Sequence, residues 1–310
     1  MSYTSLQQLV DRVQSSDYGT RTVSVINATE SHVLEAIRDA EKDGLVTPIL
    51  FGDQAVINEQ LVKLCMEPTD YIVEHADSPE QAAIMAGQSL ASGRADFLVK
   101  GNISTGKMLK ALFSTEADFR TGGYISHLSI IELPNHPKLF GLTDAAINIT
   151  PTLEEKKAII RNAVGTMLAM GFATPKVAVL ASTEVVDEKT PSTIDAAALK
   201  VAGMAGEFGD CVVEGPISYD LAMDPESAEI KQFDSPIQGD ADLLVCPEIV
   251  SANILIKALR YAGYSRSAGI VVGGRGPIVL TSRAAATQDK YWPLVLAASA
   301  TIGKHQQSSR

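Results

Sequence analysis

The chain has 310 residues, of which 45% are hydrophobic and 20% are charged, and its formal net charge is −11. This length and balance predict a globular protein with two domains, each large enough to bury its own core. The negative charge disfavours a nucleic-acid-binding protein, which would normally carry a basic face. Anionic ligands must therefore be attracted by a few placed lysines and arginines, not by the overall field.

The N-terminal sequence MSYTSLQQLVDRVQ lacks the basic and apolar regions of a signal peptide, and no apolar run is long enough to span a membrane. Cys65, Cys211 and Cys246 are widely spaced and have apolar neighbours in the sequence. This pattern predicts buried, reduced thiols. We therefore expect a cytoplasmic protein that does not contact membranes.

Up to about residue 100, short apolar or β-branched runs alternate with segments of helical spacing. The predicted helices cover about 1–15, 31–42, 53–64 and 79–92, and the predicted strands cover 22–26, 48–51, 70–74 and 97–99. Strands that alternate with helices of this length are typical of βαβ units and a parallel sheet. Ligands of such sheets bind beyond the carboxyl ends of the strands, above helix N-termini.

The segment Lys100–Lys110, with the sequence KGNISTGKMLK, occupies such a position. Its glycine and asparagine predict a turn, and Ser104 or Thr105 predicts the N-cap of a helix whose opening turns carry Lys107 and Lys110. The segment therefore predicts a cationic helix start suited to phosphate. The spacing fits a surface helix with hydrated lysines equally well.

This segment also matches the phosphate-loop pattern of nucleotide-binding proteins up to its last position. There the pattern requires a serine or threonine that binds magnesium, and this chain has Met108. The substitution argues against an NTPase.

Beyond residue 116 the pattern changes. Two predicted strands, 127–133 and 138–142, are joined by a proline-containing turn typical of a hairpin, and we place a domain boundary near here. The later predicted helices cover 152–170, 191–204 and 251–261, and the later predicted strands cover 176–181, 211–214 and 241–246. Thr152 and Glu155 predict a capping box. Asn253 and Lys257 are four residues apart and so share a helix face.

Near the C-terminus, two predicted buried strands, 268–272 and 278–280, flank a glycine turn that contains Arg275. Ser282 and Arg283 follow the second strand, and the alanines after them begin a predicted helix that ends near residue 302. N–H groups at a helix start attract anions, and arginine binds phosphate or carboxylate through two N–H groups. This segment therefore predicts an oxyanion site.

Asp289 lies seven residues after Ser282, so on a helix the two residues share a face. A carboxylate near an anion site could take a proton from a nucleophile, although the spacing fits a solvent-exposed helix residue better. The sequence has no HExxH, CxxC or GxSxG pattern, and its glycine turn leads into a strand. These features argue against a zinc site, an esterase triad and a Rossmann dinucleotide site.

Several segments resemble the phosphate acetyltransferase/phosphate butyryltransferase family. The similarity extends from about residue 20 to about residue 300 and is carried by LVKGNISTGKMLKAL (98–112), LTDAAINITP (142–151), VVEGPISYDLAM (212–223), ADLLVCPEIVSANILIKAL (241–259) and PIVLTSRAAATQDK (277–290). Butyryl-type members are the more similar in chain length and in the KG…T and LTSR segments. At 251–253 and 284–286 this sequence differs from the usual residues of the family. These differences concern the acyl-chain specificity more than the type of reaction.

The resemblance implies two α/β domains with an interdomain cleft, similar to isocitrate and isopropylmalate dehydrogenases. The second domain (131–276) would be inserted in the first (1–130 and 277–310). The implied reaction is the reversible transfer of a short acyl group between coenzyme A and inorganic phosphate, by thiolate attack on a bound acyl phosphate. Coenzyme A would be a substrate, with no bound cofactor or metal, and the protein would form a homo-oligomer.

The resemblance also implies roles for individual residues. Arg283 would hold the phosphate, Ser282 would support the carbonyl oxygen or the thiol, and Asp289 has the position of the catalytic aspartate of acetyl-type members. The expected residues that bind substrate, CoA or phosphate are Lys100, Ser104, Thr105, Lys110, Asn253, Lys257 and Arg275.

Three alternatives remain open. The first is a preference for the acetyl group, and the second is a dehydrogenase of related fold, for which we find no acidic cluster that would hold a divalent metal. The third is a non-catalytic protein that binds CoA or acyl phosphate. The presence of Ser282, Arg283 and Asp289 argues against the third.

Overall fold

The computed structural model describes residues 3–17, 19–114, 116–117, 119, 123–280 and 287–308, and within the last range the side chains of 290–302. In the first part of the chain, strands and helices alternate as the sequence predicts. The elements are α1 (Gln7–Gln14), β1 (Arg21–Ile26), α2 (Ser31–Lys42), β2 (Val46–Gly52), α3 (Gln54–Lys63), a 3-10 turn (Pro68–Asp70), β3 (Ile72–His75), α4 (Pro79–Ala91), β4 (Phe97–Lys100) and α5 (Thr105–Leu112).

The remaining elements begin after residue 123. They are β5 (Ser126–Glu132), β6 (Phe140–Thr143), α6 (Leu153–Ala169), β7 (Lys176–Leu180), α7 (Pro191–Met204), β8 (Val212–Ile217), α8 (Tyr219–Met223), α9 (Pro225–Ile230), β9 (Leu243–Val245), α10 (Ile249–Tyr261), β10 (Arg266–Val272), β11 (Ile278–Val279) and α11 (Thr287–Ser308). Within the described residues, no helix has the length and hydropathy that a membrane span requires.

The chain divides into two compact units. The terminal unit comprises residues 7–123 and 268–310, and the central unit comprises residues 1–6 and 124–267. Each unit has its own mixture of strands and helices, so the α/β class predicted from the sequence is confirmed.

The strands of the terminal unit lie side by side in the order β3, β2, β1, β4, β11 and β10. The pairs from β3 to β11 are parallel, whereas β10 and β11 are antiparallel and are joined by the predicted glycine turn. Lys100 of β4 is in register with Ile26 of β1, and Val99 is in register with Val279 of β11. The carboxyl ends of β1, β4 and β11 therefore meet at one edge of the sheet.

The glycine turn lies at the opposite edge, where β11 begins. A Cβ atom at Gly274 would lie 2.2 Å from Cζ of Phe119, so only glycine lets the turn pass this ring. The backbone N–H of Arg275 donates to the carbonyl of Phe119 at 3.2 Å. These contacts fix the turn, and with it Arg275, away from the carboxyl ends of β4 and β11.

Helices α2 and α11 pack against each other in the terminal unit. Helix α2 buries Val33, Leu34 and Ile37, which is the face that its spacing predicts. Helix α11 buries an almost continuous run of apolar side chains from Leu294 to Ala298. Burial of a large aliphatic side chain contributes about 1.5–3 kcal/mol, so this packing is a main source of stability for the unit.

The strands of the central unit lie in the order β5, β6, β9, β7 and β8. The predicted hairpin is confirmed, because β5 and β6 are antiparallel, and the pairs from β6 to β8 are parallel. The predicted capping box is also present at the start of α6, where Thr152 and Glu155 bond reciprocally to backbone N–H groups. Helices α8 to α10 cover a core that contains Phe140 and Leu244.

Two details differ from the sequence prediction. Strand β3 begins at Ile72, not at residue 70, because a 3-10 turn opened by Pro68 occupies the preceding positions. The prediction of three buried thiols was wrong, since Cys246 is buried, Cys211 is half-buried and Cys65 is exposed. Cys65 follows the end of α3 with a φ of 56°, a left-handed conformation common just beyond a helix end at the surface.

Candidate active site

A buried lysine lies at the carboxyl edge of the terminal unit's sheet. Lys100 is the last residue of β4 and is only 5% exposed. Its ammonium group donates a hydrogen bond to the carbonyl of Gly101 at 3.2 Å. A charged group removed from water is stable only when hydrogen-bonded or paired, so this edge of the sheet is suited to an anionic ligand.

The loops that follow β1 and β4 are locked together beside this lysine. The N–H groups of Gly101 and Asn102 donate to the carbonyls of Ile26 and Asn27 at 2.9 and 3.0 Å. The Asn27 side-chain amide donates in return to the carbonyl of Asn102 at 2.6 Å. A Cβ atom at Gly101 would lie 2.5 Å from two carbonyl oxygens, so the predicted turn glycine is required for this close approach.

Helix α5 begins directly after these loops. Its N-cap is Ser104, whose hydroxyl accepts a hydrogen bond from the N–H of Lys107 at 3.4 Å. Of the two predicted N-cap candidates, Ser104 and Thr105, the first is therefore correct. The Lys107 ammonium pairs with Glu80 at 2.9 Å, and this hydrogen bond lowers the pKa of Glu80. Met108 is fully buried. The position at which a phosphate loop needs a magnesium-binding hydroxyl is therefore a core position in this chain.

The strand that leads into the predicted oxyanion segment ends at the same edge. Ser282 and Arg283 lie outside the described residues, and Asp289 is described only as a backbone position in the first turn of α11. Leu280, the last described residue before them, follows Val279, which is paired with Val99 of β4. The chain thus enters residues 281–286 from a point next to Lys100.

An ion pair that was not predicted from the sequence holds the first turn of α11 at this edge. The Lys290 ammonium lies 2.7 Å from a carboxylate oxygen of Glu30, which follows β1 and precedes α2. Lys290 is only 2% exposed. The sequence feature that could have indicated this pair is the position of Lys290, four residues before Leu294 and therefore on a helix face that is otherwise apolar.

The other predicted ligands of the terminal unit lie at different places. Thr105 is half-buried in the first turn of α5. Lys110 is exposed, and it belongs to the last turn of α5 because the helix ends at Leu112. Arg275 is exposed at the opposite edge of the sheet. The structure therefore brings together Lys100, the start of α5 and both ends of the 281–286 segment, but not Arg275.

Two predicted ligands belong to α10 of the central unit. Asn253 donates to the carbonyl of Ala145 at 3.2 Å, and Lys257 is exposed. Ala145 lies in the loop that follows β6, so Asn253 helps to hold that loop. Its side-chain amide thus has a structural contact besides any role in binding.

The same loop contains a buried carboxylate, Asp144, which was not among the predicted site residues. Asp144 accepts hydrogen bonds from the N–H groups of Ala146 and Ile147, both at 2.9 Å, and of His127 at 3.0 Å. The Asn148 amide donates to it at 2.6 Å. Burial lowers the pKa of His127, while the Asp144 charge acts in the opposite direction. With these donors Asp144 is well suited to fix the loop.

Among the described residues, no group of three or more histidine, cysteine, aspartate or glutamate side chains is placed to hold a metal ion. The sheet edge instead carries the Lys100 ammonium group, the N-terminus of α5 and the paired charges of Glu30 and Lys290. An ammonium group and a helix N-terminus stabilise phosphate and the oxyanions of acyl transfer.

Residues 70–298 match the protein family described as phosphate acetyl/butaryl transferase. The chain belongs to this family. It is 36% identical over 294 residues to the phosphate butyryltransferase of Clostridium acetobutylicum, covering 95% of this chain and 97% of that protein. It is 35% identical over 294 residues to the phosphate acetyltransferase of Thermotoga maritima, covering 94% and 98%.

A solved structure agrees with this assignment. The branched-chain phosphotransacylase of Enterococcus faecalis superposes with a TM-score of 0.82 at 32% identity, covering 91% of this chain and 99% of that chain. The resemblance inferred from the sequence is thus confirmed, and the chain is a phosphate acyltransferase. The family segment 98–112 includes all but the first residue of β4, and the segment 277–290 includes its neighbour in the sheet, β11.

Proposed function

We propose that this phosphate acyltransferase transfers a butyryl group between coenzyme A and inorganic phosphate (butyryl-CoA + phosphate = butyryl phosphate + CoA). The observation that carries the proposal is the adjacency of buried Lys100 to the end of β11, from which the Ser282-Arg283 segment continues. The butyryl preference is supported by the Clostridium acetobutylicum relative. An acetyl preference is the second candidate, because the Thermotoga maritima relative is almost equally similar.

The proposed mechanism uses one base and several groups that stabilise negative charge. Asp289 takes the proton of the CoA thiol, and the thiolate attacks the carbonyl carbon of the acyl phosphate. The C–S bond forms, the carbonyl oxygen becomes an oxyanion stabilised by Ser282, and the C–O bond to phosphate then breaks. Arg283 and Lys100 hold the phosphate in both states.

The remaining ligands are assigned by position. We propose that Ser104, Thr105 and Lys110 of α5 contribute to binding of phosphate or of the CoA diphosphate, as the cationic helix start suggests. Asn253 and Lys257 are proposed to contact CoA. Arg275 has no place in the phosphate site of this proposal, because it lies at the opposite edge of the sheet.

We further propose a domain arrangement like that of isocitrate and isopropylmalate dehydrogenases, with the central unit inserted in the terminal unit. The assembly of the terminal unit from two separate parts of the chain supports this insertion. We propose a homo-oligomer with no bound cofactor. A cytoplasmic location is supported by the free thiols of the three cysteines, which suit a reducing compartment.

The proposal is tested by mixing the purified protein with butyryl-CoA and phosphate and following the release of free thiol. We expect phosphate-dependent release that is faster with butyryl-CoA than with acetyl-CoA. Faster release from acetyl-CoA would show that the enzyme prefers the acetyl group over the butyryl group. If neither acyl-CoA gives phosphate-dependent thiol, the transferase proposal is wrong, and calorimetric titration with CoA would then test a non-catalytic binding role.

A further inference from the structure

The ion pair between Glu30 and Lys290 joins two elements of the terminal unit inside an apolar environment. Lys290 is 2% exposed and the Glu30 side chain is 19% exposed. The space next to the lysine is lined by apolar side chains of α2, β4, β11 and α11, namely Val33, Ala36, Val99, Val279 and Leu294. The pair thus ties α11 to the end of β1 at the edge where the site is proposed.

Stability alone does not account for a charged pair at this position. A buried ion pair is often no more stabilising than well-packed apolar residues of similar size, while loss of one partner leaves an uncompensated charge. Leu294 lies one turn further along the same face of α11 and is apolar and buried. An apolar residue at position 290 would therefore suit a purely structural role at least as well.

The first turn of α11 has a particular need for such a tie. Pro293 lies inside the helix and has no N–H group, so it cannot donate to the carbonyl of residue 289. The start of the helix therefore has fewer backbone hydrogen bonds than a regular helix. Side-chain contacts to the α2 region compensate, from Lys290 to Glu30 and from the Tyr291 hydroxyl to Asp43, which follows α2.

We propose that Glu30 and Lys290 form a positioning pair for acyl transfer. The pair fixes the first turn of α11, which carries Asp289 and follows the Ser282-Arg283 segment, relative to β1 and Lys100. The two residues act through that turn and contact neither substrate. This inference rests on the proposed function, in which Asp289, Ser282 and Arg283 take part in the reaction.

The test is a double variant, Lys290→Met with Glu30→Gln, which removes both charges. It keeps the side-chain length at position 30 and shortens it by one atom at position 290. Because no uncompensated charge remains, we expect an unfolding temperature close to that of the parent protein. Misplacement of a catalytic group by about 1 Å can cost about 100-fold in rate, so we expect kcat to fall roughly 10- to 100-fold. The KM values for phosphate and butyryl-CoA should stay within about twofold, since the ligands of the substrates are retained.

A matched control removes another buried ion pair, Lys138 with Asp242, in the central unit. Their side chains are 14% and 11% exposed, and they lie at the amino ends of β6 and β9. Lys138→Met with Asp242→Asn should leave kcat within about twofold of the parent. A kcat within twofold for the Lys290→Met/Glu30→Gln variant would overturn the positioning role, as would an equal loss in the control.

A second measurement does not depend on activity. Hydrogen exchange of the backbone amides of 287–292 should become faster in the Lys290→Met/Glu30→Gln variant and stay unchanged in the control. Unchanged exchange would overturn the inference even if the parent protein shows no transfer activity. Absence of activity in the parent protein would, by contrast, count against the proposed function.

Discussion

Val279 of β11 lies directly opposite Val99 of β4, and the two strands run in the same direction. The next residues along the two strands are Leu280 and Lys100, so two distant family segments leave the sheet side by side. In parallel α/β sheets this edge is where ligands bind. The register of this one strand pair thus places Lys100, whose side chain is buried, beside Leu280, which precedes Ser282 by two residues.

Replacement of Lys100 by methionine tests this placement. The variant keeps the apolar stem but loses the ammonium group, and a hydrogen bond to a charged group contributes about 1.5–3 kcal/mol. We expect kcat/KM for phosphate to fall roughly 10- to 100-fold in the thiol-release assay.

Lys107→Met is the control for this prediction. The Lys107 side chain is 68% exposed, and its ammonium group pairs with Glu80 at the surface, where an ion pair contributes at most about 1 kcal/mol. We expect kcat/KM within about threefold of the parent value. Equal losses in the two variants would show that burial of Lys100 has no special importance.

The two arginines near β11 give a second contrast. Arg283→Ala should reduce kcat/KM about 100-fold, because Arg283 is proposed to hold the phosphate, which gains negative charge as the C–O bond breaks. Removal of one donor to such a developing charge costs on the order of 2.7–4 kcal/mol. Arg275→Ala should change kcat/KM less than about threefold, because Arg275 lies at the opposite edge of the sheet. If Arg275→Ala is as inactive as Arg283→Ala, the phosphate site is not confined to the carboxyl edge.

Much of the fold follows from periodicity in the sequence. The helices Ser31–Lys42 and Pro191–Met204 begin and end at the residues that the sequence predicts. Their apolar spacing and end signals are local, and local patterns can be recognised without knowledge of packing. The start of β3 was predicted too early, because Pro68 and its neighbours prefer a turn over an extended chain.

The site was predictable only in part, because some of its contacts depend on packing between distant parts of the chain. The rule that ligands bind at strand carboxyl ends singles out Lys100, which directly follows a buried run. The pair of Glu30 and Lys290 depends on how β1 and α11 pack, and residues so far apart in sequence carry no local signal of their contact. The contact of Gly274 with Phe119 is likewise a tertiary property, although the glycine itself marked a turn.

Gly274→Ala tests that contact. The added Cβ would lie 2.2 Å from Cζ of Phe119, so either the ring or the turn must move. Overpacking of this kind costs about 1–3 kcal/mol, which should appear as a lower free energy of unfolding in urea. Gly165→Ala is the control, because this position in α6 has open space around its Cβ and alanine favours a helix by about 0.5–1 kcal/mol. A destabilised Gly165→Ala variant would indicate that the effect is not specific to the ring.

The three thiols should differ sharply in reactivity towards iodoacetamide. Cys65 is exposed, whereas burial raises the pKa of Cys246 to about 12 and also raises that of Cys211. Since the thiolate is the reactive form, we expect modification of the native protein at about pH 8 to occur first at Cys65, with Cys246 unmodified. Peptide mass spectrometry measures the order, and all three thiols should react once the chain is unfolded in denaturant. Cys65→Ser should remove the fast phase, and early modification of Cys246 would mean that its surroundings open far more readily than its burial indicates.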